Sequence, residues 1–168
     1  AENVAQREGI TREMQDALAV ESQQRAARAI AEGRFRSQIV PVEIASRKGT
    51  VVFDTDEHVR ADASMEQLAK MKPAFKSDGS VTVGNASGLN DGAGAVVLAT
   101  GEALKSSSMK PLARLVAYAH AGVDPKLMGL GPVPASRLAL KRAGLSTKDL
   151  DVIESNEAFA AQAMAVTK

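Results

Sequence analysis

The sequence predicts an α/β protein, because after residue 80 apolar strand-like runs alternate with segments of helical spacing, the pattern of a layered sheet covered by helices. A second observation is the balance of 45% hydrophobic against 24% charged residues, which suits a packed chain and argues against disorder. A third is the change of texture near residue 80. Residues 1–80 carry two helices and irregular edge strands, as a subdomain inserted into such a layer would. The length of 168 residues accommodates one ordinary domain and not two independent ones.

Thr11 is placed to cap a helix running to about Gly33, with Glu13 and Asp16 in its acidic first turn. Met14, Ala17, Leu18, Ala26, Ala29 and Ile30 recur near helical spacing along it, and Gly33 suits its stop. Residues 39–44 read as a short strand that Pro41 makes an edge or irregular one. A second apolar run, residues 51–53, follows the basic turn at Arg47, Lys48 and Gly49. Ser64 and Gln67 have capping-box spacing and open a helix that Pro73 ends near Lys72. Strands are expected at 81–83 and 95–98, on either side of the Gly- and Asn-rich segment 84–94. A short helix follows at 102–107, then a β-like run at 112–119, then a helix at 134–144 with Pro at its start and Gly at its stop. Residues 146–149 begin a helical turn, residues 151–154 a strand, and Asn156 stands where that strand passes into a helix reaching Lys168. That helix is still running at the last residue and Ala1 is not an initiator Met, so an internal segment of a longer protein is expected.

Composition removes several function classes. Aromatic residues make up 3%, with no Trp and one Tyr, too few for stacking on unpaired bases. The net charge of +1 gives no general basic field for nucleic acid. With no Cys, these residues hold no disulfide, thiolate metal site or cysteine nucleophile of their own. No apolar run approaches the roughly 20 residues of a membrane span. A soluble, cytoplasmic protein that binds neither nucleic acid nor membrane is the expectation.

Candidate chemistry is sparse. Asp54, Asp56 and His58 open like a calcium loop but lack its Gly and distal Glu, so a solvated turn is the better reading. Ser87 falls one place late for a nucleophile elbow. Gly129 and Gly131 lack the third Gly of a dinucleotide loop, and Pro132 removes a donor amide. Two segments resist a bland reading. Residues 84–94 are either a long turn or a backbone-exposing loop along which a thin ligand arm can lie. Asn156 is either a helix cap or an amide donor aimed, with a helix dipole behind it, at developing negative charge.

Together these segments carry a resemblance. Asn85-Ala86-Ser87-Gly88-Leu89-Asn90-Asp91-Gly92, the run from Gly122 to Pro132 and Asn156-Glu157-Ala158-Phe159-Ala160-Ala161-Gln162 resemble motifs of the thiolases, which make or cleave β-ketoacyl-CoA. Arg34-Phe35, Ile39-Val40-Pro41 and Lys72-Pro73-Ala74-Phe75 match as well, so the resemblance runs through essentially the whole chain in family order. Short-chain bacterial β-ketothiolases, acetyl-CoA acetyltransferases, are the closest look. Gly94 and Ser155 stand where the usual pattern has alanine, and both departures are small.

The resemblance implies a layered αβαβα fold, incomplete in this chain. Residues 1–90 would be the inserted loop subdomain that covers CoA, 91–110 the end of the N-terminal half and 111–168 the first part of the C-terminal half. It implies a ping-pong acyl transfer in which both cysteines and the Gly-His-Pro histidine lie outside these residues. Asn156 would hold a water in the oxyanion hole. Ala158 and Phe159 would line the acyl end with Met128 over the same pocket; Ser87, Gly88 and Leu89 would follow the pantetheine arm. Ala74 and Phe75 would flank that arm, and Arg60 would approach the adenine nucleotide. No permanently bound cofactor is implied; CoA thioesters are substrates, and the parent would be a homotetramer. The alternative is a non-catalytic CoA-binding or partner-binding module.

Overall fold

The hydroxyl of Thr11 accepts a hydrogen bond from the backbone N–H of Met14 at 3.3 Å, opening helix α2 (Arg12–Ala31) where the sequence places it. The computed structural model describes all of residues 1–168. They form two units, Ala1–Gly88 with Asn156–Lys168, and Leu89–Ser155.

In the first unit, α1 (Glu2–Glu8) precedes α2 and turns off at Gly9. The antiparallel hairpin β1 (Val42–Ser46) and β2 (Gly49–Phe53) pairs Val42 with Phe53 and Ser46 with Gly49. Every residue of this hairpin is exposed. Helix α3 (Met65–Ala69) is capped by Ser64, whose hydroxyl accepts from the Gln67 N–H, and the last helix is α6 (Ala160–Thr167). α6 packs on α1 and α2, and α2 also packs on α3. Val4, Ala5, Ile10, Leu68 and Val81 are buried with Ala160, Ala161, Ala163 and Ala165, an aliphatic and alanine core in which small side chains let the helices approach closely. The apolar stripe of α2 is not its buried face: Gln15 and Asp16 are 0% and 2% exposed, while Met14 and Ile30 face outward.

In the second unit, Thr100 caps the short α4 (Gly101–Lys105) through the Ala103 N–H. A 3-10 segment, Pro125–Leu130, leads into α5 (Pro132–Ala143), which ends at Gly144 with φ of 70°. Ser146 and Asp149 close a capping box around the 3-10 turn Thr147–Asp149.

The strands expected at 81–83, 95–98, 112–119 and 151–154 do not form. A strand exists only when a neighbour takes up its N–H and C=O groups in a ladder, and no second segment forms a ladder with any of these four. Their apolar side chains are accordingly largely exposed, Val97 to 90% and Val152 to 85%, with Val81 as the buried exception. The final helix begins at Ala160 with Phe159 as its cap residue, so Asn156 lies in an irregular stretch before it and not at its N-terminus.

Candidate substrate-binding site

A buried amide organises the first unit. Asn85 is 3% exposed, and its side chain satisfies three partners at once. Its Nδ2 donates to Asp16 Oδ1 at 2.8 Å and to the Ser80 carbonyl at 3.1 Å, while its Oδ1 accepts from the Thr82 N–H at 2.8 Å. Asp16 turns its other oxygen to the Arg12 Nε at 2.7 Å, and the same guanidinium donates to the carbonyls of Leu68 and Met71 at the end of α3. The Glu2 carboxylate accepts from the N–H groups of Ser80 and Val81, and Gln15 donates to Ser80 Oγ at 2.9 Å. Residues 80–85 are thus held from α1, α2 and the loop after α3 by hydrogen bonds that fix direction as well as distance.

The main chain beyond Asn85 joins the segment leading into α6. The Ala160 N–H donates to the Asn85 carbonyl at 3.0 Å, Ala86 and Phe159 form an antiparallel bridge, and the Ser87 N–H donates to the Ala158 carbonyl at 2.9 Å. Phe75 meets Phe159 edge-on with ring centroids 6.3 Å apart, and the Ala74 N–H donates to the Val81 carbonyl at 2.8 Å. Five of the residues the sequence singles out, Ala74, Phe75, Ser87, Ala158 and Phe159, therefore gather on one shelf. Ala74, Phe75, Ser87 and the adjoining Gly88 are exposed above the buried network, while Ala158 and Phe159 are half-buried in it. A shelf of this kind presents an aromatic ring, a serine and a glycine on its exposed side.

Arg60 is exposed at a distance along the chain from the shelf, and its backbone N–H donates to Gln23 Oε1 at 2.8 Å. Asn156 is exposed, with the helix four residues further on, so neither a capping role nor support from the helix dipole applies to it. Leu89 and Met128 belong to the unit Leu89–Ser155, where both are exposed, Met128 within the 3-10 segment. No group of His, Asp or Glu side chains is placed to hold a metal ion. No helix is long and apolar enough to cross a membrane.

The sequence places Asp16 in an acidic first turn and Asn85 in a segment that reads as a long turn or a backbone-exposing loop; both side chains are instead buried and bonded to each other. The spacing of Arg12 and Asp16, four residues apart on one helix face, is the one local signal of their pairing.

Residues 1–102 match the family described as thiolase, N-terminal domain, and residues 109–168 the family described as thiolase, C-terminal domain. The chain is similar to the beta-ketothiolase BktB of Cupriavidus necator, with 60% identity over 169 residues, covering 100% of this chain and 43% of that protein. It is similar to an acetyl-CoA acetyltransferase of Syntrophomonas wolfei, with 56% identity covering 100% of this chain and 42% of the relative. Among solved structures it resembles the Bacillus anthracis acetyl-CoA acetyltransferase, with a TM-score of 0.92 and 53% identity over 98% of this chain and 42% of that one. It also resembles human mitochondrial 3-ketoacyl-CoA thiolase in complex with CoA, with a TM-score of 0.89 and 49% identity over 98% of this chain and 41% of that one. The chain thus spans less than half the length of these relatives, and its α/β architecture is that of part of a thiolase. On two domain matches that together take in nearly every residue, the chain belongs to the thiolase family.

Proposed function

We propose that these residues are the substrate-handling middle segment of an acetyl-CoA C-acyltransferase that condenses or cleaves short β-ketoacyl-CoA. Residues 1–90 are its CoA-covering loop subdomain, 91–110 the end of the N-terminal half and 111–168 the start of the C-terminal half. The observation that supports this best is the joining of residues 85–87 to residues 158–160 into one edge, since these two stretches are the ones that resemble the pantetheine and acyl contacts. Ser87, Gly88 and Leu89 run along the pantetheine arm beside Ala74 and Phe75. Ala158, Phe159 and Met128 face the acyl group, and Arg60 lies near the nucleotide end.

In cleavage, a cysteine thiolate from another part of the protein attacks the keto carbon of β-ketoacyl-CoA. The bond between the α and β carbons breaks, and the acetyl-CoA carbanion takes a proton from the second cysteine. A free CoA thiol then displaces the acyl group from the first cysteine, completing the ping-pong cycle. Asn156 orders a water that donates to the oxygen gaining negative charge, an interaction that strengthens toward the transition state. Coenzyme A thioesters are the substrates and no resident cofactor is required. The whole enzyme is a cytoplasmic homotetramer with no part in nucleic-acid or membrane binding. The 168 residues alone are inactive, because an acyl-accepting thiolate is absent from them.

The absence of Cys also suits a second reading, a non-catalytic module that binds CoA or a partner. Acetoacetyl-CoA and CoA supplied to the protein that carries these residues separate the two. Conversion to acetyl-CoA at an enzymatic rate supports the transferase; CoA binding without conversion supports the module.

A further inference from the structure

We infer that the buried series Arg12–Asp16–Asn85 is a positioning device for the acyl-CoA shelf, so that Asp16 and Asn85 set the apparent affinity for the thioester without touching it. The inference rests on the reading of Phe75, Ser87, Ala158 and Phe159 as substrate contacts.

Three features separate this series from ordinary core packing. It is polar where an aliphatic core would be simpler, and burying polar groups is tolerable only when they are bonded. Here Asn85 uses both amide hydrogens and its oxygen, and Asp16 uses both carboxylate oxygens. Second, the bonds reach the chain on several sides of the shelf. Arg12 holds the carbonyls of Leu68 and Met71, just before Ala74 and Phe75. Asn85 holds Ser80 and Thr82, and its own main chain holds Ala160. Third, the amide of Asn85 is held by three partners only two residues before Ser87, and the Asn85 carbonyl itself accepts from the Ala160 N–H beside the Ser87–Ala158 hydrogen bond. Binding groups supported by fixed neighbours hold their geometry, and small displacements of such supports weaken binding.

The test uses the full-length protein and three variants, each assayed for KM with acetoacetyl-CoA, kcat and melting temperature. Asn85→Asp preserves shape but sets a carboxylate against that of Asp16; KM is expected to rise about tenfold while kcat changes less than about threefold. Asp16→Asn keeps an acceptor for Asn85 and removes the charge facing Arg12, with an expected rise in KM of about threefold. The double variant restores a donor opposite an acceptor and is expected to recover most of the loss caused by Asn85→Asp. A merely structural role lowers melting temperature and active fraction but leaves KM unchanged, and that result overturns the inference. Should Asn85→Asp not fold, Asp16→Asn carries the decision, and an unchanged KM there overturns it equally. A wild-type protein that does not cleave acetoacetyl-CoA overturns the functional reading and this inference together. Normal wild-type cleavage with unchanged KM in the variants overturns this inference alone.

Discussion

The backbone N–H of Ser87 donates to the carbonyl of Ala158 at 2.9 Å, tying a glycine-rich loop to the segment that leads into the last helix. This hydrogen bond joins stretches far apart in sequence and sets Ser87 beside the main chain of Ala158 and Phe159.

Phe75 is expected to matter for binding more than for stability. It is 65% exposed and touches Phe159 edge-on, a pairing worth about 0.5–1.5 kcal/mol. In the full-length protein, Phe75→Ala should raise KM for acyl-CoA about tenfold, with a stability loss confined to that range. Steady-state kinetics beside urea denaturation measures both. A large stability loss with normal KM would make Phe75 a packing residue only.

Gly79 is expected to accept a side chain only by displacing the Glu2 carboxylate. A Cβ there would collide with the Glu2 carboxylate, which accepts from the N–H groups of Ser80 and Val81. Gly79→Ala should therefore cost about 1–3 kcal/mol by leaving those donors unpaired. Glu2→Ala removes the same acceptor, so the double variant should lose little beyond the larger single loss. Denaturation midpoints of the three variants check this, and full additivity would contradict it.

Asp149 gives a pH signature. Hydrogen bonds from the backbone N–H and then the hydroxyl of Ser146 hold its carboxyl below the ordinary value of 3.8. A carboxyl depressed in the folded state contributes stability above its unfolded pKa, and that contribution is lost as pH falls through the folded value. Asp149→Ala should thus melt slightly lower than wild type at neutral pH, with the difference shrinking below 3.8. The comparison is a pair of melting curves across that range, and a difference that grows in acid would exclude the capping role.

Local signals in the sequence carry the helices and the β1–β2 hairpin, but not the strands expected after residue 80. Thr11, Ser64 and Gly144 act on their own neighbours, so α2, α3 and α5 begin or end close to where those residues predict. Helix α1 escapes notice because its seven residues are stabilised by distant packing on α6. The runs at 95–98, 112–119 and 151–154 have strand composition, yet a ladder needs a partner that composition cannot supply. For the site, the motifs bring Phe75, Ser87 and Phe159 into view, and the structure gathers them. The support beneath them was not legible, because nothing local to Asn85 indicates that its amide meets Asp16 from a helix some seventy residues earlier.

Asn156 is the one residue here with a proposed part in the chemical step. It stands exposed ahead of α6, capping nothing, so its removal should leave folding almost untouched. As a water-holding oxyanion donor, its loss should lower kcat by roughly 10²–10³-fold with a smaller effect on KM. The measurement is acetoacetyl-CoA cleavage by the full-length protein and its Asn156→Ala variant, with melting temperatures recorded for both. An active wild type and a folded variant that has lost most of its kcat are expected; an inactive wild type, or a variant with normal kinetics, would contradict the oxyanion role of Asn156 in a transferase.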